Sequence, residues 1–148
     1  MTAQRPIYLD YASTTPMHPL VRRAMEPYLQ HEFGNPSSHS PLGRRAAAAL
    51  DRARAQVAAV LGCHDDEVIF TSGGSESDNL ALEGVARAFP GKRHLVTTTI
   101  EHSAVLGAAR ALEEHVGVDV TRVPVDERGI VDPAAVAAAI RPEVPAPT

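Results

Sequence analysis

The residues best suited to chemistry lie in a glycine–serine turn at residues 72–75. The turn follows an apolar run at 67–71 (EVIFT), which predicts a buried strand, and precedes a helix expected over about 76–89. Glycines at the start of a helix leave backbone N–H groups unpaired, and the helix dipole adds partial positive charge there. Such a turn either binds a phosphate, with the Ser75 hydroxyl as a further donor, or does no more than cap the helix. Neither GxxxxGK[ST] nor GxGxxG is present, so the turn is not one of those phosphate-binding motifs.

A second candidate is the pair Glu101 and His102, which follows a predicted strand over 94–99. Ligands of open parallel sheets lie at the carboxyl ends of the strands, and both candidates fall at such ends. A histidine there can stack on an aromatic ring and move a proton, or it can cap the next helix. The other histidines lack the spacing of a metal site, so no metal is expected.

The elements that would position these residues alternate between strand and helix, which predicts an α/β fold with a mostly parallel sheet. Before them, Ile7–Leu9 is a short strand-like run in an N-terminal arm over 1–18. Predicted helices cover 19–30 (with Pro27 inside), 41–61, 76–89, 103–116 and 133–140, and predicted strands cover 67–71, 94–99 and 118–123. In the second helix a buried stripe is expected at Ala49, Leu50, Ala53, Val57, Val60 and Leu61. The body of the fold is expected over 19–142, followed by a flexible tail over 143–148.

Composition narrows the functional classes. The 148 residues carry a formal charge of −4 and have no basic patch, so no nucleic-acid partner is expected. No apolar run is long enough to cross a membrane, and we expect no membrane association. One cysteine, Cys63, and no secretory signal are typical of a reducing, cytoplasmic setting.

Four segments together resemble the cysteine desulfurases, and within them the iron–sulfur-assembly and nitrogen-fixation-type branch. They are IYLDYASTTP (7–16), FGNPSS (33–38), FTSGGSESDN (70–79) and EHSAVL (101–106). The resemblance extends from about residue 6 to residue 142. It implies a fold-type I, class V aminotransferase-like enzyme that uses pyridoxal 5′-phosphate. The fold expected from it is a three-layer α/β/α large domain with a mostly parallel sheet, present here incompletely after the N-terminal arm.

The resemblance also implies roles for matching positions. Gly74 and Ser75 correspond to the turn that contacts the cofactor phosphate, where the family usually has threonine in place of Ser75. His102 corresponds to the histidine that stacks on the pyridine ring and assists proton transfer, so it is the expected catalytic residue. Ala12, Thr14 and Asn35 lie in segments that border the substrate pocket in the family.

The family reaction also needs a lysine that holds the cofactor covalently and a mobile cysteine that accepts sulfur from L-cysteine. The only lysine is Lys92, in the loop before the 94–99 strand, and neither it nor Cys63 matches those positions. We therefore expect the N-terminal part of a cysteine desulfurase that is inactive alone. The family is typically homodimeric and passes sulfur to an acceptor or scaffold protein.

Two alternatives remain open. The chain could be a catalytically dead or split-enzyme binding module that pairs with a second polypeptide. It could also belong to another class V pyridoxal-phosphate lyase, such as a selenocysteine lyase.

Overall fold

The computed structural model describes residues 7–141, and the chain divides between Ile69 and Phe70 into two compact units. The first unit contains two helices and a 3₁₀ turn: α1 (Pro19–Gln30), α2 (Pro41–Leu61) and Asp65–Glu67. The second unit contains three helices and two strands: α3 (Gly74–Ala88), β1 (His94–Thr98), α4 (Ser103–Ala111), β2 (Asp119–Val123) and α5 (Pro133–Ala139). A π-helical turn, Leu112–Val116, continues α4.

Both helices of the first unit begin and end where local signals predict. The Ser40 hydroxyl accepts a hydrogen bond from the backbone N–H of Gly43, and Pro41 occupies the first helical position of α2. The helix ends at Gly62, which is in the left-handed conformation with φ 71°. α1 keeps its predicted bounds although Pro27 lies inside it.

The sheet of the second unit is parallel, as predicted. β1 pairs with β2 in a register that places His94 opposite Asp119 and Thr98 opposite Val123. α4 connects the two strands, which makes a β–α–β unit. The core cluster lies between this sheet and the helices. It consists of Ala109, Leu112, Val118 and Val120, with Leu82, Ala86, Leu95 and Val116 packed against it.

Two strand predictions are wrong. Residues 67–71 do not form a strand: the 3₁₀ turn ends at Glu67, and residues 68–71 are extended or irregular, with Ile69 67% exposed. The run Ile7–Leu9 is also irregular and exposed. An apolar run becomes a strand only when neighbouring strands accept its backbone hydrogen bonds. Among residues 7–141 the sheet has only two strands, β1 and β2.

The buried stripe predicted on α2 is wrong in most of its members. Leu50, Val57, Val60 and Leu61 are exposed, and Val60 is 86% exposed. The fully buried residue is instead Ala58, on a neighbouring face of the helix. The periodicity marks an apolar face, but burial also requires an element that covers it. In the first unit, the backbone carbonyl of Val68 accepts a hydrogen bond from Arg54 of α2, which ties the segment after the 3₁₀ turn to the helix.

The proposed division into an arm over 1–18 and a body over 19–142 stays a prediction, and the tail over 143–148 lies outside the described residues. Within residues 7–141, no helix has the length and apolar character needed to span a membrane.

Candidate functional site

The glycine turn forms the N-terminus of α3. Gly73 is the N-cap residue, and α3 begins at Gly74, two residues earlier than predicted. The backbone N–H groups of Gly74, Ser75 and Glu76 have no acceptor among the described residues, as expected for a first helical turn. A Cβ built on Gly73 or Gly74 would meet nothing within 4 Å, so the space beside these two glycines is open. The turn therefore offers several N–H donors at the positive end of a helix dipole.

Side chains around the turn hold it in place. The Glu76 carboxylate accepts hydrogen bonds from the backbone N–H and the hydroxyl of Ser72, each at 2.6 Å. These bonds from Ser72 lower the pKa of Glu76, which is therefore charged at neutral pH. On the other side of the turn, the hydroxyls of Thr71 and Ser77 lie 2.7 Å apart. The bonds to Ser72 agree with the interpretation, from the sequence, that Glu76 shapes the start of the helix.

His102 is the N-cap residue of α4. Its Nδ1 accepts a hydrogen bond of 3.1 Å from the backbone N–H of Ala104, and its ring is exposed. The neighbouring Glu101 accepts a 3.0 Å hydrogen bond from the hydroxyl of Thr98, the last residue of β1. His102 therefore caps the helix, which is one of the two roles that the sequence left open. The cap uses Nδ1 only, so Nε2 and the faces of the ring can still contact a ligand.

The topology brings the two helix starts to one edge of the sheet. Residues 89–93 join α3 to β1, and the backbone N–H of Lys92 donates a 2.9 Å hydrogen bond to the carbonyl of Phe89, so the chain turns here. α3 and β1 therefore run in opposite directions, with Leu82 and Leu95 in the same core cluster. The start of α3 and the start of α4 both lie toward the carboxyl end of β1, the edge where ligands of such sheets bind.

Described residues of this unit line a cleft and an open groove. A cleft of about 300 Å³ runs beside β1 and is lined by Leu82, Leu95, Val96, Thr97, Thr98, Glu101, Val105 and Val136. An open groove of about 610 Å³ follows the exposed face of α3 from Ser75 and Glu76 to Arg87. Ser75 lines the groove, and neither cavity is lined by His102.

The resemblance also predicts three positions beside a substrate pocket. Ala12, Thr14 and Asn35 belong to the first compact unit, where they are exposed. The side chain of Asn35 accepts a 2.9 Å hydrogen bond from the backbone N–H of Ser37. Their role at a substrate pocket stays a prediction.

Lys92 lies at the opposite end of β1 from His102. Its Nζ is 5.6 Å from the centre of the Phe89 ring. A strand of five residues spans roughly 17 Å, and Lys92 and His102 lie beyond its two ends. This placement agrees with the prediction that Lys92 is not the lysine that holds the cofactor.

The comparisons with known proteins identify the family. The aminotransferase class-V family matches residues 7–146, and the chain belongs to it. Among curated relatives, the cysteine desulfurase IscS of Dictyoglomus turgidum is 46% identical over 139 residues, which are 93% of this chain and 35% of that protein. The human cysteine desulfurase is 47% identical over 141 residues, 94% of this chain and 31% of its own length. The chain thus spans about a third of the length of the curated relatives it matches.

Solved structures show the same fold. A NifS-like protein superposes with a TM-score of 0.85 at 36% identity, over 93% of this chain and 38% of that one. A structure described as SspA in complex with cysteine gives a TM-score of 0.83 at 39% identity, over 92% and 39% of the two chains. These similarities confirm the predicted α/β fold class and the resemblance to cysteine desulfurases.

The class V family and the cysteine desulfurases depend on pyridoxal phosphate, and the turn before α3 fits its phosphate group. The free N–H groups of Gly74 and Ser75 and the Ser75 hydroxyl are the donors that a phosphate needs. The open space over the glycines leaves room for it. Glu76 is the one negative charge in this turn, and its carboxylate is held toward Ser72.

Proposed function

We propose that this chain supplies the phosphate-binding turn and the ring-stacking histidine of a pyridoxal-phosphate-dependent cysteine desulfurase. The observation that carries the proposal is the position of two helix starts, Gly74–Ser75 and His102, at one edge of a parallel sheet. The motifs at both positions are those of the cysteine desulfurases, to which the chain is 46–48% identical.

The reaction proposed for the whole enzyme moves sulfur from L-cysteine to an enzyme thiol, giving alanine and a persulfide. A structural neighbour in complex with cysteine supports this substrate. When bound, the cofactor supplies an electron sink for bond cleavage at the amino acid. In this chain, Gly74 and Ser75 hold its phosphate through N–H and O–H donors, and His102 covers its ring and holds a proton at the reacting face.

We further propose the setting of that enzyme. The sulfur serves iron–sulfur cluster or thio-cofactor synthesis through an acceptor or scaffold protein, the enzyme acts as a homodimer, and it works in the cytoplasm. Relatives named as cysteine desulfurases support the proposal that the enzyme takes sulfur from cysteine. The 148 residues contain neither the lysine nor the thiol that the reaction needs at matching positions, so we expect them to be inactive alone.

The test of the phosphate-binding turn is a titration of the ¹⁵N-labelled chain with pyridoxal 5′-phosphate. The amide signals of Gly74 and Ser75 should shift, and Ser75→Ala should weaken binding about tenfold because one hydrogen bond to a charged group is lost. Ser75→Thr should bind as the parent does, since the hydroxyl is kept.

The matched control for this titration is Ser37→Ala, the same chemical change in the other compact unit. The Ser37 hydroxyl has no hydrogen-bond partner among the described residues, so this variant should bind as the parent does. Shifts that leave Gly74 and Ser75 unmoved, or equal losses in the Ser75 and Ser37 variants, would refute the proposed site.

A further inference from the structure

The N-cap hydrogen bond of His102 decides which ring nitrogen can act. Nδ1 accepts the N–H of Ala104 at 3.1 Å. A nitrogen that accepts through its lone pair carries no hydrogen, so the neutral ring must carry its hydrogen on Nε2. Among the described residues Nε2 has no hydrogen-bond partner, and the ring is exposed. The structure thus leaves one nitrogen occupied by the helix and one available.

A hydrogen on Nδ1 would lie against the N–H of Ala104, so the cap would be lost. The cap therefore keeps Nδ1 an acceptor while α4 is formed.

We propose that α4 locks His102 in the tautomer with the hydrogen on Nε2, so that Nε2 is the ring nitrogen that exchanges hydrogen bonds and protons with the bound amino acid or cofactor. The backbone N–H of Ala104 is then the positioning group, and it acts through the ring. The tautomer follows from the helix cap alone, whereas the role of Nε2 rests on the proposed function.

A second histidine of the chain caps a helix in the same way and serves as a control. His18 is the N-cap residue of α1, and its Nδ1 accepts the N–H of Leu20 at 3.2 Å. It belongs to the other compact unit and is not one of the residues proposed to contact the cofactor. His39 provides the opposite reference, because its ring has no hydrogen bond to any described residue.

Long-range ¹H–¹⁵N spectra of the histidine rings test the tautomer directly at about pH 8, above the ordinary imidazole pKa. His102 and His18 should each show one protonated nitrogen, Nε2, and one acceptor nitrogen, Nδ1. His39 should show the averaged pattern of a ring that exchanges between tautomers. An averaged or Nδ1-protonated pattern at His102 would overturn the inference.

Two substitutions distinguish the capping role of Nδ1 from the role of Nε2. His102→Asn keeps an acceptor at the capping position and loses the Nε2 group, so its Tm should stay close to that of the parent. His102→Gln keeps a donor near the Nε2 position but is a poor cap, and its Tm should fall by about 2–6 °C. The same pair at His18 should give the same two results. Equal Tm values for both His102 variants would contradict the capping role.

Adding pyridoxal 5′-phosphate to the labelled chain separates this inference from the proposed function. The His102 Nε2 signal should shift while Nδ1 keeps its acceptor value. A shift at Nδ1 would overturn the inference. A fixed Nε2–H tautomer with no shift at either nitrogen would confirm the lock and refute the proposed cofactor contact.

Discussion

At the scale of single residues, the clearest charge interaction joins the π-helical turn after α4 to β2. Arg122 donates two hydrogen bonds to the Glu113 carboxylate, at 2.6 and 3.2 Å. These bonds from Arg122 lower the pKa of Glu113, and the carboxylate raises the pKa of Arg122. Because both groups are solvent-accessible, the pair contributes little stability and is weakened by salt.

The lowered pKa fixes how the Glu113 contribution depends on pH. A carboxyl whose folded-state pKa lies below its unfolded value stabilises the fold above the unfolded pKa of about 4.3, and this contribution is lost as the pH falls through the folded pKa. We expect Glu113→Gln to lower the Tm slightly at neutral pH and to match the parent at pH values below the folded pKa. Thermal melts across this pH range measure the effect.

Glu127→Gln is the control, since among the described residues Glu127 has no ion-pair partner. It should leave the Tm unchanged at both ends of the range. A Glu113→Gln loss that persists at acid pH would mean that packing, and not charge, is responsible.

At the scale of elements, the loop that carries Asn35 can lie close to the start of α2 because residue 43 is a glycine. A Cβ on the buried Gly43 would lie 2.6 Å from the backbone oxygen of Asn35 and closer still to that of Ser38. The loop therefore approaches the helix more closely than any side chain at position 43 would allow. If Asn35 borders the substrate pocket, as the resemblance implies, Gly43 sets its position.

We expect Gly43→Ala to lower the free energy of unfolding by about 2–4 kcal/mol, because backbone atoms must move to relieve the clash. Urea denaturation measures the change. Gly84→Ala in α3 is the matched control: its Cβ would meet nothing within 4 Å, so the substitution should stabilise the helix by about 1 kcal/mol. A neutral Gly43→Ala variant would show that the loop is not held at this distance.

Element boundaries could be predicted from the sequence wherever the deciding interaction is local. The predicted bounds of α2, residues 41–61, are confirmed: Ser40 and Pro41 lie at its start and Gly62 at its end, and a cap depends on residues within a few positions of the helix end. The apolar run at residues 67–71 is typical of a strand, yet these residues form none. Strand pairing depends on residues distant in sequence, which a local pattern does not show. The π-helical turn after α4 was not predicted either, and no local motif marks it.

At the scale of the whole molecule, the chain spans about a third of its curated relatives, and its single lysine lies at the wrong end of β1. We expect the purified 148 residues to release no sulfide from L-cysteine when pyridoxal 5′-phosphate is added, because no lysine can hold the cofactor at the carboxyl edge of the sheet. Sulfide and alanine assays measure this, with a full-length relative as the positive control.

Borohydride reduction provides a second readout for the same prediction. Cofactor trapped on Lys92 and accompanied by turnover would contradict the assignment of the active edge. Trapping at Lys92 without turnover would be nonspecific labelling of an exposed amine, and the prediction would stand.

The sequence by itself indicated the family, the ends of α1 and α2 and the residue types of the glycine turn before α3, because each depends on short motifs that can be identified in order along the chain. Only the tertiary structure decided which apolar faces are buried, which predicted strands pair, and that the starts of α3 and α4 share one edge of the sheet. It also decided that His102 points Nδ1 at the N–H of Ala104. The physical reason is that burial, strand pairing and ring orientation depend on where neighbouring groups lie in space, and sequence spacing constrains those positions only within a single element.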